Sequence, residues 1–120
     1  MQSSKLKVKS FLKLKIKEVP LEDAHGGSGK RKMLLSHDHV ASKNWEAITK
    51  GYLEKGGIFD WHKHDDADEV FIVLKGTGQY FCDGKIMDFT IEDMFITPAK
   101  LEHKITADED CEFYFIRVKV

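Results

Sequence analysis

Four side chains are placed to do chemistry: His62, His64 two positions on, Glu69, and His103 downstream of Pro98. Residues spaced i, i+2 on a strand share a face, because side chains alternate with period two, so His62 and His64 can address one point. A third imidazole and a carboxylate brought there by neighbouring strands complete an N3O donor set, which suits one divalent transition metal such as Fe, Mn, Ni or Zn. Four protein ligands on a six-coordinate ion leave two positions for water, dioxygen or a chelating substrate. Neutral imidazoles with a single carboxylate leave that ion net positive, so an anionic or enediolate-forming substrate would bind well and be polarised.

The spacing around these residues is specific. Gly56, five residues, His62-x-His64, four residues, Glu69, six residues and Gly76 reproduce the first motif of the cupins, and the stretch resembles their metal-binding strands. The second cupin motif runs Gly, five residues, Pro, x, Gly, two residues, His, then Asn. Here its positions read Glu92, Pro98, Lys100, His103 and Ala107, so Pro98 and His103 remain and the glycines do not. The resemblance implies an all-β double-stranded β-helix (the jelly-roll barrel), with residues 1–31 as an N-terminal strand region and loop and 32–120 as the barrel. It also implies His62, His64, Glu69 and His103 as metal ligands. Cupins include dioxygenases, decarboxylases, sugar-phosphate isomerases and non-catalytic sensors, and a fold does not choose among them. A dioxygenase-like enzyme acting on a small oxygen-rich molecule is the leading expectation. A non-catalytic small-molecule or metal-binding module and a sugar isomerase or epimerase are the alternatives. Thiol-oxidising cupins generally lack the acid, so Glu69 weighs against that branch.

Glu69 is chosen over Asp65, Asp66 and Asp68 by the motif interval and by the apolar run that follows it. His37-Asp38-His39 has the same i, i+2 spacing, but no flanking glycine or downstream acid completes a motif. His25, in a glycine-rich loop, is expected to be exposed. Tyr80, Arg117, Trp61 and Phe95 are candidate substrate contacts, with Lys104 behind them. Arg117 shares its parity with Phe113 and Phe115, and an inward guanidinium would select a carboxylate or phosphate.

Short β-branched and aromatic runs separated by turn residues position these side chains. Strands are expected at Lys32–Ser36, Ala47–Leu53, Ile58–His64, Glu69–Lys75, Gly78–Cys82, Lys85–Ile91, Met94–Thr97, His103–Ala107 and Cys111–Val118. Asp83-Gly84 between two alternating runs is a two-residue hairpin signal. The run after Glu69 is apolar at both parities, as expected of a strand covered on both sides. Residues 18–32, with Pro20 and Gly26-Gly27-Ser28-Gly29, read as loop. They are not a phosphate-binding loop, because Arg31 stands where Ser or Thr would follow Lys30.

The 120 residues fit one domain of near-neutral charge. No stretch reaches the ~18 apolar residues of a membrane span, and the start lacks a signal peptide's apolar run, so a cytoplasmic location is expected. Cys82 and Cys111 form no CxxC and are expected to be reduced and buried. Lys5, Lys7, Lys9, Lys13, Lys15 and Lys17 alternate with Leu6, Val8, Leu12, Leu14 and Ile16, the pattern of a half-buried strand broken near Phe11. No aromatic stacking positions interleave with these lysines, Phe11 being the one aromatic residue among them, and the net charge is −1, which argues against nucleic acid. An apolar-faced strand added to so small a barrel needs cover, and a homodimer supplies it.

Overall fold

A computed structural model describes residues 11–35 and 37–120. Among the described residues ten strands occur in chain order: β1 (Glu22–Asp23), β2 (Lys30–Leu35), β3 (Trp45–Leu53), β4 (Ile58–His62), β5 (Ala67–Lys75), β6 (Gly78–Cys82), β7 (Lys85–Phe89), β8 (Met94–Thr97), β9 (His103–Ala107) and β10 (Cys111–Lys119). They form two antiparallel sheets, one ordered β1-β2-β3-β10-β5-β8 and the other β4-β9-β6-β7. The two-sheet, all-β architecture expected from the sequence is the one observed.

Alternation builds the core. β3 buries Ala47, Thr49, Gly51 and Leu53, while Ile48, Lys50 and Tyr52 between them stay partly exposed. β5 buries Glu69, Phe71 and Val73 in the same phase. These inner faces meet Tyr80, Phe89 and Ile105 of the four-stranded sheet. Phe71 lies edge-on to Phe113 at 5.9 Å and to Tyr80 at 5.0 Å, a favoured aromatic geometry. Truncating a ring so buried to alanine costs about 3–5 kcal/mol.

Each of the nine strands expected from Lys32 onward is present, with ends at most two residues from those expected. Asp83 and Gly84 both have positive φ and join Cys82 to its partner Lys85, as the hairpin signal requires. The departures have physical causes. Residues 18–32 are not all loop: Glu22 pairs with Arg31 and Asp23 with Lys30, and ion pairs within both couples hold the added strand β1. The Lys/Leu alternation up to residue 10 lies outside the described residues. From Phe11 to Lys15 the chain carries no strand, and Ile16–Glu18 forms a 3-10 turn. Alternation supplies an apolar face, yet without a neighbouring strand the backbone has no ladder to join. Nor is β5 covered on both sides. Val70, Ile72 and Leu74 on its outer face are partly exposed, because among the described residues no layer lies beyond the six-stranded sheet.

Cys82 and Cys111 are buried free thiols. Burial pushes the Cys111 thiol up to about 11, and its Sγ–H donates to the carbonyls of Thr77 and Glu109. Among the described residues, no helix is long and apolar enough to cross a membrane.

Candidate metal centre

β4 delivers its histidine through an irregularity. Phe59 pairs with Ile105 in regular register, the ladder then shifts, and His62 comes to lie opposite His103. Such a shift reverses the parity of the residues beyond it, as bulges do. Phe59 and His62 therefore both face inward, whereas Trp61 is turned to the outer surface. The turn after β4 carries His64, whose carbonyl accepts from the Lys100 N–H at 2.8 Å. This bond ties the histidine turn to the Pro98–Leu101 turn that leads into His103.

Lys100 makes that turn at φ +76°, and Glu92 makes another at φ +70°. These are the two positions where the second cupin motif has glycine. The backbone keeps the left-handed conformation although the residues that adopt it cheaply are gone.

Glu69 enters from β5, in register with Thr97 on one side and Arg117 on the other. Its carboxylate is 3 % exposed and stands 3.3 Å from Nε2 of His103 and 3.4 Å from Nε2 of His64. The ligand atoms of His62, His64, Glu69 and His103 all lie within 4.8 Å of one another. Donors about 2.1 Å from a common ion would be about 4.2 Å apart when opposed, so one ion suits this spacing.

The protonation pattern adds a stronger argument. Nδ1 of His62 sits 2.7 Å from the carbonyl of Asp60, and Nδ1 of His103 sits 2.9 Å from that of Leu101. A carbonyl only accepts, so each Nδ1 carries a proton, and Nε2 is the ring atom left to face the cluster. At His103 that Nε2 faces a Glu69 carboxylate oxygen at 3.3 Å. Nε2 of His64 and of His103 are buried without a hydrogen-bond partner among the described residues. Imidazole nitrogens and a carboxylate gathered in a buried site call for a shared cation, a proton or a metal ion, and the backbone bonds to Nδ1 are those that orient imidazoles toward metals.

Burial would raise the Glu69 carboxyl, but the adjacent imidazoles of His103 and His64 outweigh it and hold the group down at about 2. Burial lowers the affinity of His62 for its proton. Both shifts favour the forms that bind a metal, carboxylate and neutral imidazole.

A cavity of about 350 Å³ opens beside the cluster and is lined by three of the four candidate ligands, His62, His64 and Glu69. Arg117 lines it too, as its parity suggests. Its Nε donates to Glu46 at 3.0 Å, and Nη1 lies 3.5 Å from Glu69. The structure puts the other three candidate substrate contacts elsewhere. Tyr80 is 2 % exposed, its hydroxyl bonded to Thr97 and held protonated by burial, in the core beneath His103. Phe95 stacks on Phe71 at 4.8 Å. Trp61 packs against Phe81 at 6.3 Å and under Lys104 on the outside of the four-stranded sheet. The parity reversal in β4 is the reason for its displacement. His25 is exposed as expected, but at the cavity rim, and Arg31, which sequence reasoning missed, lines the wall. Its signal is the pairing of two acids with two bases around a glycine-rich turn. His37 and His39 belong to a 3-10 turn between β2 and β3.

The family model described as Cupin domain matches residues 51–117. Among solved structures, the chain is similar to a predicted oxalate decarboxylase from Thermotoga maritima (TM-score 0.83, 21% identity, 91% of this chain and 100% of that one). It is also similar to an RmlC-like cupin from Shewanella frigidimarina (0.74, 23%, 95% and 92%). A third likeness is to the polyketide cyclase RemF from Streptomyces resistomycificus (0.76, 15%, 91% and 80%). At these identities the likeness is one of fold. No curated protein matches the chain.

Proposed function

This chain belongs to the cupin domain family, and on that premise we propose that it is a metal-dependent enzyme. It holds one divalent transition metal on His62, His64, Glu69 and His103 and acts on a small oxygen-rich organic molecule in the adjoining cavity. The observation that carries the reading is the pair of buried, unpartnered Nε2 atoms beside the Glu69 carboxylate. A bound ion would supply Lewis-acid polarisation of a chelated oxygen and, if redox-active, access to dioxygen chemistry.

The chain's own groups do the rest. Arg117, steadied by Glu46, presents its guanidinium beside the cluster and orients an anionic oxygen there. Phe59, Ile105 and Phe115 give the cavity apolar walls that exclude water from the reacting end. The Nδ1 bonds of His62 and His103 keep their rings from turning. Dioxygenase-like chemistry is the leading form. The similar structure described as a predicted oxalate decarboxylase points to another reaction of small acids on the same fold.

The test begins with elemental analysis of freshly purified protein. The apoprotein is then reloaded with Fe(II), Mn(II), Ni(II) or Zn(II), and oxygen uptake and products are followed over a panel of 2-oxo acids and catechols. Equal turnover with Zn(II) would reject the oxygenase form. Tight chelator binding without turnover under any ion would favour a binding module.

We also propose a homodimer formed through the outer face of the six-stranded sheet. Met94 and Ile96 are more than half exposed there, next to Val70 and Ile72 on β5. Ile116 on β10 and Ile48 on β3 continue the row across the sheet. Apolar side chains in a row across four adjacent strands fit an isologous contact.

A further inference from the structure

Part of the cavity wall comes from residues 24–31, which precede the family-matched stretch 51–117. This segment is fixed in place. Ala24 N–H donates to Gly29 O at 3.0 Å and closes the turn between β1 and β2, while Ser28 N–H donates to Ile58 O and Asp60 N–H to Gly26 O. A Cβ on Gly29 would stand 2.0 Å from the Phe59 ring, so the close packing of this turn on β4 depends on glycine there.

Arg31 belongs to this wall. Its Nε donates to the carboxylate of its cross-strand partner Glu22 at 3.1 Å. A brace through Nε leaves the two terminal amino groups, the end-on fork that matches a carboxylate or phosphate, to serve a ligand. Arg117 is braced through Nε in the same manner by Glu46. The cavity lining thus has Arg31, Lys63 and Arg117 against the single acid Glu69, in a chain whose net charge is −1.

An anionic group chelated beside Glu69 lies beyond the reach of Arg31. Arg31 pairs with Gly51 and Gly51 with Phe113, whereas Arg117 pairs with Glu69. Phe113 and Arg117 are four residues apart on β10, and β2 and β5 are three strands apart. At about 3.3 Å per residue and about 4.8 Å per strand, the backbones of Arg31 and Glu69 stand on the order of 20 Å apart. One arginine side chain spans far less than that.

We infer that the cavity takes an elongated small acid with two anionic ends. One end chelates at the metal cluster beside Arg117, the tail anion rests on the fork of Arg31, and the apolar middle lies along Phe59 and Phe115. This deepens the proposed function and rests on it for the chelating end only. Arg31 is then a specificity-determining residue supplied from outside the family-matched stretch.

The test compares 2-oxoadipate with 2-oxohexanoate, which has the same chain length but no tail acid, by calorimetry on Zn(II)-loaded protein. A phosphonate-tailed analogue separates a phosphate-like tail from a carboxylate one. Wild type should bind one of the two-ended acids at least tenfold more tightly than 2-oxohexanoate. Arg31→Gln should abolish that preference while keeping wild-type zinc content and 2-oxohexanoate affinity, and Arg31→Lys should restore part of it. An equal loss for both acids in Arg31→Gln, or no preference in wild type, would overturn the inference. If wild type takes up no metal, the reading of the cluster fails, and adipate titrated into metal-free protein judges Arg31 alone. Binding lost in Arg31→Gln would then support the tail site, and unchanged or absent binding would overturn it.

Discussion

Replacing His103 with leucine separates a metal ligand from a structural histidine. The ring is 1 % exposed, with Nδ1 bonded to Leu101 O and Nε2 unpartnered 3.3 Å from Glu69. Leucine removes a buried nitrogen without a hydrogen-bond partner, a gain of about 1–3 kcal/mol, loses one hydrogen bond, a cost of about 1 kcal/mol, and takes one stabilising imidazole from Glu69, a further cost of about 1–2 kcal/mol that protonation of the carboxyl limits. A swap of similar volume adds less than about 1.5 kcal/mol of packing change. The metal-free variant should therefore stay within about 2 kcal/mol of metal-free wild type. Metal separates them. At a metal concentration of a hundred times Kd, wild type gains about 2.7 kcal/mol. For a chain of this length that raises Tm by on the order of 10 °C. If the substitution weakens Kd a hundredfold, the same metal concentration yields only about 0.4 kcal/mol. Urea denaturation and thermal melts with and without Zn(II) or Mn(II), together with elemental analysis, measure both quantities. Full occupancy and a wild-type metal-induced shift in His103→Leu would refute the site; a variant destabilised by several kcal/mol without metal would make the histidine structural.

Three further outcomes are expected. In the metal-free protein the lowered Glu69 pKa means that the unfolded chain binds its proton first as pH falls. A contribution on the order of 3 kcal/mol is therefore full above the ordinary value of 4.5 and lost toward about 2. His62, also lowered, contributes above 6.5 and loses that as pH drops below it; Glu69→Gln should remove the lower of these two phases from a pH series of denaturation midpoints. Lys100→Gly should raise stability by about 0.5–1 kcal/mol, since relief of a left-handed non-glycine residue exceeds the added freedom of the unfolded chain. A lower denaturation midpoint would count against this. Ile96→Glu should halve the mass seen in light scattering, and a mass unchanged from wild type would remove the outer sheet face as the dimer contact.

The sequence by itself determined the local and periodic features. Runs of alternating apolar residues placed every strand from β2 to β10, because half-buried strands demand period two and a two-residue Asp-Gly hairpin announces itself in composition. The spacing of His62, His64 and Glu69 named candidate ligands, since donor chemistry and interval are both written in the chain, and with His103 after Pro98 they are the four side chains the fold brings together. Tertiary structure decided what pairing controls. The register shift between Phe59 and His62 turned the histidine inward and Trp61 outward, an outcome that strict alternation cannot express. The left-handed turns at Glu92 and Lys100 survived the loss of their glycines because surrounding strands and the Lys100–His64 bond hold the backbone there. Tyr80 and Phe95 became core rather than cavity because the face of a strand is legible in sequence but the depth along it is not. Arg31 joined the cavity because β2 lies against β3 and the glycine turn against β4, and contacts between segments so far apart are set only when the chain closes on itself.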